Sequence, residues 1–262
     1  MTKVYAFVNQ KGGVGKTTTT ISLASCFAAL GQRVLMVDLD PQANATSCLG
    51  VDKRNVRNGT YEVLIGSCPP VAAILKNEQL GLSLIPSTPD LTGAEVELIN
   101  EERREVRLRD ALREILPAYD YILIDSPPSL GILTLNALVA AGGGAVIPVQ
   151  CEYLALEGLS QLTQTIGRVR ASFHPQLEIR GVVMTMFDGR TNLGNQVIDE
   201  VRRHFPAKVF TSVIPRSIRL AEAPSHGIPI SLYAPTSIGA LAYQELAEEI
   251  LKSDGARIHA KG

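Results

Sequence analysis

Short apolar runs recur along this chain near residues 4–8, 34–37, 82–85, 121–124, 145–149, 180–185 and 209–213. Between them apolar residues return at helical spacing, as from Thr17 to Leu30. Strands that alternate with helices predict an α/β fold, one mostly parallel twisted sheet with helices on both faces. The stretch 51–70, rich in Gly and Asn and ending in Ser-Cys-Pro-Pro, predicts an irregular insertion. Residues 95–116 mix Glu and Arg around Val106, Leu108, Leu112 and Ile115, which predicts a solvated helix packed on one side. With no internal repeat visible, residues 1–252 read as a single domain and 253–262 as a frayed tail.

Between the first strand and the first helix lies Gln10-Lys-Gly-Gly-Val-Gly-Lys-Thr-Thr18. A glycine loop in that position is a phosphate cradle. Gly12, Gly13 and Gly15 allow a turn tight enough to aim successive N–H groups inward, and the positive end of the helix dipole adds to the attraction. Val14 completes the loop. Lys16 would reach the β- and γ-phosphates, Thr17 would put a hydroxyl where Mg²⁺ sits, and Thr18 would donate to the α-phosphate. Lys11 at the loop mouth is unusual. On spacing it reads either as a solvated surface lysine or as a side chain free to reach a nucleotide held by another subunit.

Two further apolar strands end in acids, where an open α/β sheet presents its ligand. Arg33-Val-Leu-Met-Val leads to Asp38 and Asp40, and Tyr121-Ile-Leu-Ile leads to Asp125. A single such Asp is commonly a helix cap, but three of them in a chain with a phosphate loop point to a metal and nucleotide site. Asp125 reads as the carboxylate that orients Mg²⁺ through a water. The chemistry available is phosphoryl transfer to water, which depends on positioning and charge neutralisation. No Cys/His nucleophile arrangement or metal cage competes with it.

The 262 residues exceed the roughly 150 typical of one domain, yet 45% hydrophobic residues can supply one large core. Cys26, Cys48, Cys68 and Cys151 lack metal spacing and read as reduced structural thiols. The first strand begins so near Met1 that no signal peptide is expected, and no apolar run reaches the about 18 residues of a membrane span. A cytoplasmic protein is therefore expected. Net charge is −1, so whole-chain electrostatics do not announce nucleic acid. Between Arg168 and Arg219, however, nine Lys/Arg (168, 170, 180, 190, 202, 203, 208, 216, 219) face four Asp/Glu (178, 188, 199, 200), a local excess of five. By charge alone this is either a solvated basic surface or a phosphate-binding face.

Lys11-Gly-Gly-x-Gly-Lys-Thr-Thr resembles the deviant Walker A motif of the ParA/MinD group of P-loop ATPases. Residues 34–50, 121–136, 147–162, 184–195 and 213–229 resemble the chromosomal ParA/Soj branch, in the same order and across nearly the whole chain. The Gly142-Gly-Gly run departs from that pattern and leaves a loop boundary open. The resemblance implies a Mg²⁺-dependent ATP hydrolase in which Lys11 crosses an ATP-dependent homodimer interface. It implies that Asp40 positions the attacking water and that Asp38 is a switch residue near the metal. It also implies that Arg190 and Arg219 bind double-stranded DNA non-specifically on the nucleoid, with a ParB-type centromere-binding protein as partner and no membrane. Pro215 and Ser217 are implied at the adenine, although a proline after a strand is commonly only a turn.

Two other classes have distinct requirements. A MinD-like membrane-cycling ATPase needs a basic amphipathic C-terminal helix, whereas residues 240–252 carry Glu245, Glu248 and Glu249 with a single Lys252. An iron–sulfur carrier of the nitrogenase iron-protein kind needs bridging cysteines, and none stands beside Asp125.

Overall fold

The computed structural model describes residues 1–153 and 155–258. Among the described residues eight strands form one sheet: β1 (Lys3–Phe7), β2 (Val34–Asp38), β3 (Leu75–Asn77), β4 (Leu82–Ile85), β5 (Tyr121–Asp125), β6 (Gly144–Gln150), β7 (Ile179–Phe187) and β8 (Val209–Pro215). Their spatial order is β3-β4-β2-β5-β1-β6-β7-β8. All pairs are parallel except β3–β4. Parallel pairing puts every loop that follows β1, β2, β5, β6, β7 and β8 at one end of the sheet, which is where the sequence carries its chemistry.

Helices cover both faces, so the central strands are buried on each side and read as unbroken apolar runs. Alternation within a strand assigns each side chain to a face. Val4, Ala6 and Val8 join one apolar cluster with Leu133, Leu138 and Leu159, while Tyr5 and Phe7 join the other with Phe27, Leu246 and Ile250. The glycine run at 142–144 is a tight junction. A Cβ on Gly143 would lie 2.7 Å from the Tyr5 ring, so only glycine lets this turn pass beneath β1 and open β6 at Gly144.

The seven expected strands are all present, with ends shifted by at most two residues. Three sequence readings are corrected. β3 was not foreseen, because Leu-Lys-Asn is short, largely exposed and pairs only along the sheet edge. The stretch 51–70 contains a helix, Thr60–Ile65, that buries Val63 and Leu64. Residues 95–116 do not form one helix but break into short turns around the helix Arg107–Leu112. Asn136 accepts from Leu108 N and donates to Arg104 O there, replacing backbone bonds that a continuous helix would have made.

The helix Ile238–Ser253 closes at the residue where the expected tail begins. Asp254 is half-buried against the far end of the sheet, accepting from Tyr5 and Tyr121 and pairing with Arg180. Gln32 donates to Arg257 O. The last expected tail positions, 259–262, lie outside the described residues.

Candidate nucleotide site

β1 ends at Phe7, and the phosphate loop leaves it anchored by a buried Asn9. Its Nδ2 donates to Pro148 O at 2.7 Å and its Oδ1 accepts Lys11 N at 2.9 Å, which ties the loop to β6. Gly13 and Gly15 adopt φ of 76° and 86°, so the loop reverses and enters the helix Lys16–Ala29 from a left-handed residue. A Cβ on Gly12 or Gly13 would meet nothing within 4 Å; the loop fronts open space of the kind a phosphate fills. Lys16 is buried, with Nζ donating to Lys11 O at 3.3 Å. Burial lowers its pKa, opposed by the charges of Asp125 and Asp40.

Strand register assembles the acids. Asp38 on β2 is the direct partner of Asp125 on β5, and Asp125 is the partner of Phe7 on β1. Asp125 accepts Thr17 Oγ1 at 2.7 Å and Thr20 Oγ1 at 3.2 Å. Asp38 accepts Thr46 N at 2.8 Å, Thr46 Oγ1 at 2.7 Å and Asp40 N at 3.2 Å, so both its oxygens are committed to holding the loop that carries Asp40. Asp40 Oδ1 accepts Gln42 N at 2.9 Å. Burial, then the neighbouring Asp38, pushes the Asp125 pKa up to about 8. Burial pushes Asp38 up to about 6.

These residues fit a divalent cation. The charges of Asp125 and Asp40 act on the buried Lys16 at the end of a glycine cradle, and the burial that raises the pKa values of Asp125 and Asp38 is a cost that a bound cation would offset. Among the described residues no three acids, histidines or cysteines form a ready metal cage. A metal here would be held by Thr17 and by phosphate oxygens, with Asp125 and Asp38 behind them.

A cavity of about 330 Å³ opens beside the loop, lined by Gly15, Thr18, Met186, Pro215, Ser217 and Tyr243 among others. The two residues assigned to the base by resemblance therefore share one cavity with two residues of the phosphate loop. Tyr243 is fixed there by a 3.0 Å bond to Thr19.

A family model described as an AAA domain matches residues 2–179. The sporulation initiation inhibitor protein Soj of Bacillus subtilis is 53% identical over 250 residues, covering 95% of this chain and 98% of that protein. The chromosome partitioning protein ParA of Caulobacter vibrioides is 50% identical over 257 residues, covering 97% and 96%. The chain belongs to the ParA/Soj family of P-loop ATPases. A Mycobacterium smegmatis structure named cobyrinic acid a,c-diamide synthase, with bound ADP and magnesium, superposes with TM-score 0.86 at 37% identity over 100% of both chains. The septum site-determining protein MinD of Pyrococcus horikoshii, complexed with Mg-ADP, gives 0.79 at 26% identity, covering 97% and 98%.

The signature lysine of this ParA/Soj chain is engaged within its own subunit. Lys11 Nζ pairs with Glu152, which follows β6. Of the basic stretch, Arg190 and Arg216 are exposed and follow β7 and β8, and the exposed Arg219 lies on the short helix Ile218–Glu222. Arg190 is held by Asp188 at 2.6 Å and Arg219 by Glu222 at 2.9 Å. Arg180 does not belong to this group, because it is half-buried at the other end of the sheet with Asp254. The net excess on the exposed face is correspondingly smaller than the linear count.

Several polar residues of the site escaped the sequence reading. Thr46 and Ser87 lock the Asp38–Asp40 loop, with Ser87 N donating to Thr46 Oγ1 at 2.8 Å and Ser87 Oγ donating to Asp40 O at 2.8 Å. Thr185 Oγ1 donates to Val14 O at 2.8 Å. Ser87 and Thr185 sit at or just past apolar strand runs, the same signal that singled out the acids.

Proposed function

We propose that this chain is a Mg²⁺-dependent ATP switch for chromosome or plasmid partitioning. ATP closes a sandwich dimer, the dimer binds double-stranded DNA without sequence preference on the nucleoid, and hydrolysis releases it. A ParB-type centromere-binding protein stimulates that hydrolysis. The observation that carries this reading is that Arg190, Arg216 and Arg219 follow strands whose same ends hold the phosphate loop and the acids. The names of the Soj and ParA relatives, and the bound ADP and magnesium of the Mycobacterium smegmatis structure, support it.

In this mechanism the loop amides and Lys16 hold the β/γ-phosphates, and Lys11 exchanges Glu152 for a phosphate across the dimer. Bound Mg²⁺ would supply charge neutralisation on the phosphates, held by Thr17 and backed by Asp125 and Asp38. Asp40 orients the water from a loop that Asp38, Thr46 and Ser87 make rigid. Pro215 and Ser217 flank the base. Because an equilibrium moves only by differential affinity, ATP must bind the dimer more tightly than the monomer.

A MinD-like membrane cycle is less well supported. The helix Ile238–Ser253 buries its apolar side against the second core cluster and exposes Gln244 and Glu245, so this helix presents no basic amphipathic face.

Retention of duplexes of unrelated sequence, measured with ATP, ADP and no nucleotide, tests the proposal. Retention should require ATP. Arg190→Ala should weaken it equally on all sequences and lower the salt slope by about one charge per subunit while DNA-free ATPase survives. Nucleotide-independent retention, or unchanged retention by both Arg190→Ala and Arg219→Ala, would remove DNA as the cargo.

A further inference from the structure

One residue between the phosphate loop and the arginine face adopts a backbone conformation that its type rarely takes. Met186 has φ of 53°, in the left-handed region where a residue other than Gly, Asn or Asp is uncommon. It lies where the pairing of β7 with β8 slips. Met184 is opposite Val213 but Phe187 is opposite Pro215, so β7 carries one extra residue there, a bulge that re-aims the chain beyond it.

Bonds on either side hold this bulge. Thr185 Oγ1 donates to Val14 O in the phosphate loop at 2.8 Å, and Phe187 O accepts Arg216 N at 2.9 Å. Thr185, Met186, Pro215 and Arg216 all line the base cavity. Immediately beyond, Asp188 accepts Arg190 N at 3.1 Å and its carboxylate pairs with the guanidinium. The strand thus runs from a grip on the phosphate loop, through the cavity wall, to Arg190 within six residues, and the left-handed turn stands between.

We propose that the left-handed backbone at Met186 is a positioning element that couples occupancy of the nucleotide cavity to presentation of Arg190 and Arg216. With an ordinary extended residue at 186, Thr185 could not hold Val14 while Phe187 holds Arg216, because removing the bulge turns the following side chains to the opposite face of the sheet. The inference rests on the nucleotide and DNA reading given above.

The test compares Met186→Asn, which tolerates the left-handed region, with Met186→Val, whose β-branch disfavours it. Duplex retention is measured at saturating ATP and saturating ADP, which removes any change in nucleotide affinity from the comparison. Met186→Asn should keep the wild-type preference for ATP over ADP. Met186→Val should lose about tenfold of it, with a melting temperature showing that the protein is folded. Thr185→Val, which removes only the hydroxyl grip on Val14, should lose preference in the same direction and serves if Met186→Val does not fold. Wild-type preference in both valine variants would overturn the proposal, as would an equal loss in Met186→Asn, which would assign the effect to the methionine side chain. Wild-type protein without any ATP-dependent retention would overturn the DNA reading as well, and so separates that failure from failure of the coupling alone.

Discussion

Thr17 Oγ1 donates to Asp125 Oδ2 at 2.7 Å although 108 residues separate them. The bond ties the first turn of the helix after the phosphate loop to the end of the strand beside β1. It holds the hydroxyl and the carboxylate together before any ligand arrives, so little side-chain ordering is left for nucleotide binding. Asp125 meanwhile lies buried beside Asp38, an arrangement that costs stability in the ligand-free protein.

That cost has a pH signature. The folded-state pKa values of Asp125, about 8, and Asp38, about 6, lie above the unfolded value near 4, so the folded state binds these protons more tightly. Stability of the nucleotide-free protein should therefore fall as pH rises, by on the order of 2 kcal/mol from pH 6 to pH 8 through Asp125. Urea unfolding at the two pH values measures it. Asp125→Asn should flatten the dependence and reduce Mg²⁺-dependent nucleotide affinity, and a pH-independent wild type would refute the assignment.

Asp40 is held by its loop rather than by the phosphate lysine. Asp40→Ala should abolish turnover while retaining ATP and leaving a persistent dimer, as read by phosphate release and by sizing. Normal turnover in that variant would remove Asp40 from the reaction.

The two lysines should separate by assay. Lys16→Ala should lose nucleotide binding, whereas Lys11→Ala should retain some ATP as a monomer. Because Glu152 competes for Lys11, Glu152→Gln should lower the ATP concentration needed for dimerisation by a few-fold, in line with the roughly 0–1 kcal/mol of a partly exposed pair. Lys11→Ala dimerising like wild type would contradict a role across the interface.

Asp254 is a stability residue far from the site. Asp254→Ala would leave Arg180 and the hydroxyls of Tyr5 and Tyr121 without their shared acceptor, at a cost of about 2–3 kcal/mol. A melting temperature lower by roughly 5–10 °C is expected, with unchanged affinity for nucleotide. Asp254→Ala melting like wild type would show that the cluster contributes nothing.

Features that depend on neighbours in sequence were legible without coordinates. A strand buried on both faces must be apolar along its length, and a phosphate loop must have its glycines, lysine and threonine in consecutive positions, so β1, β2 and β5 and the loop residues 11–18 could be read directly. Acids at strand ends were legible for the same reason. The edge strand Leu75–Asn77 was not, because an edge pair needs no apolar pattern, and neither was the order around Asp254, whose partners come from β1, β5 and β7. Tertiary structure alone decided that Asp38 stands opposite Asp125, that Glu152 reaches Lys11, and that Met186 turns left-handed between a phosphate-loop grip and the arginines. Each of these depends on strand register or on contacts between distant segments, which periodicity along a single chain does not encode.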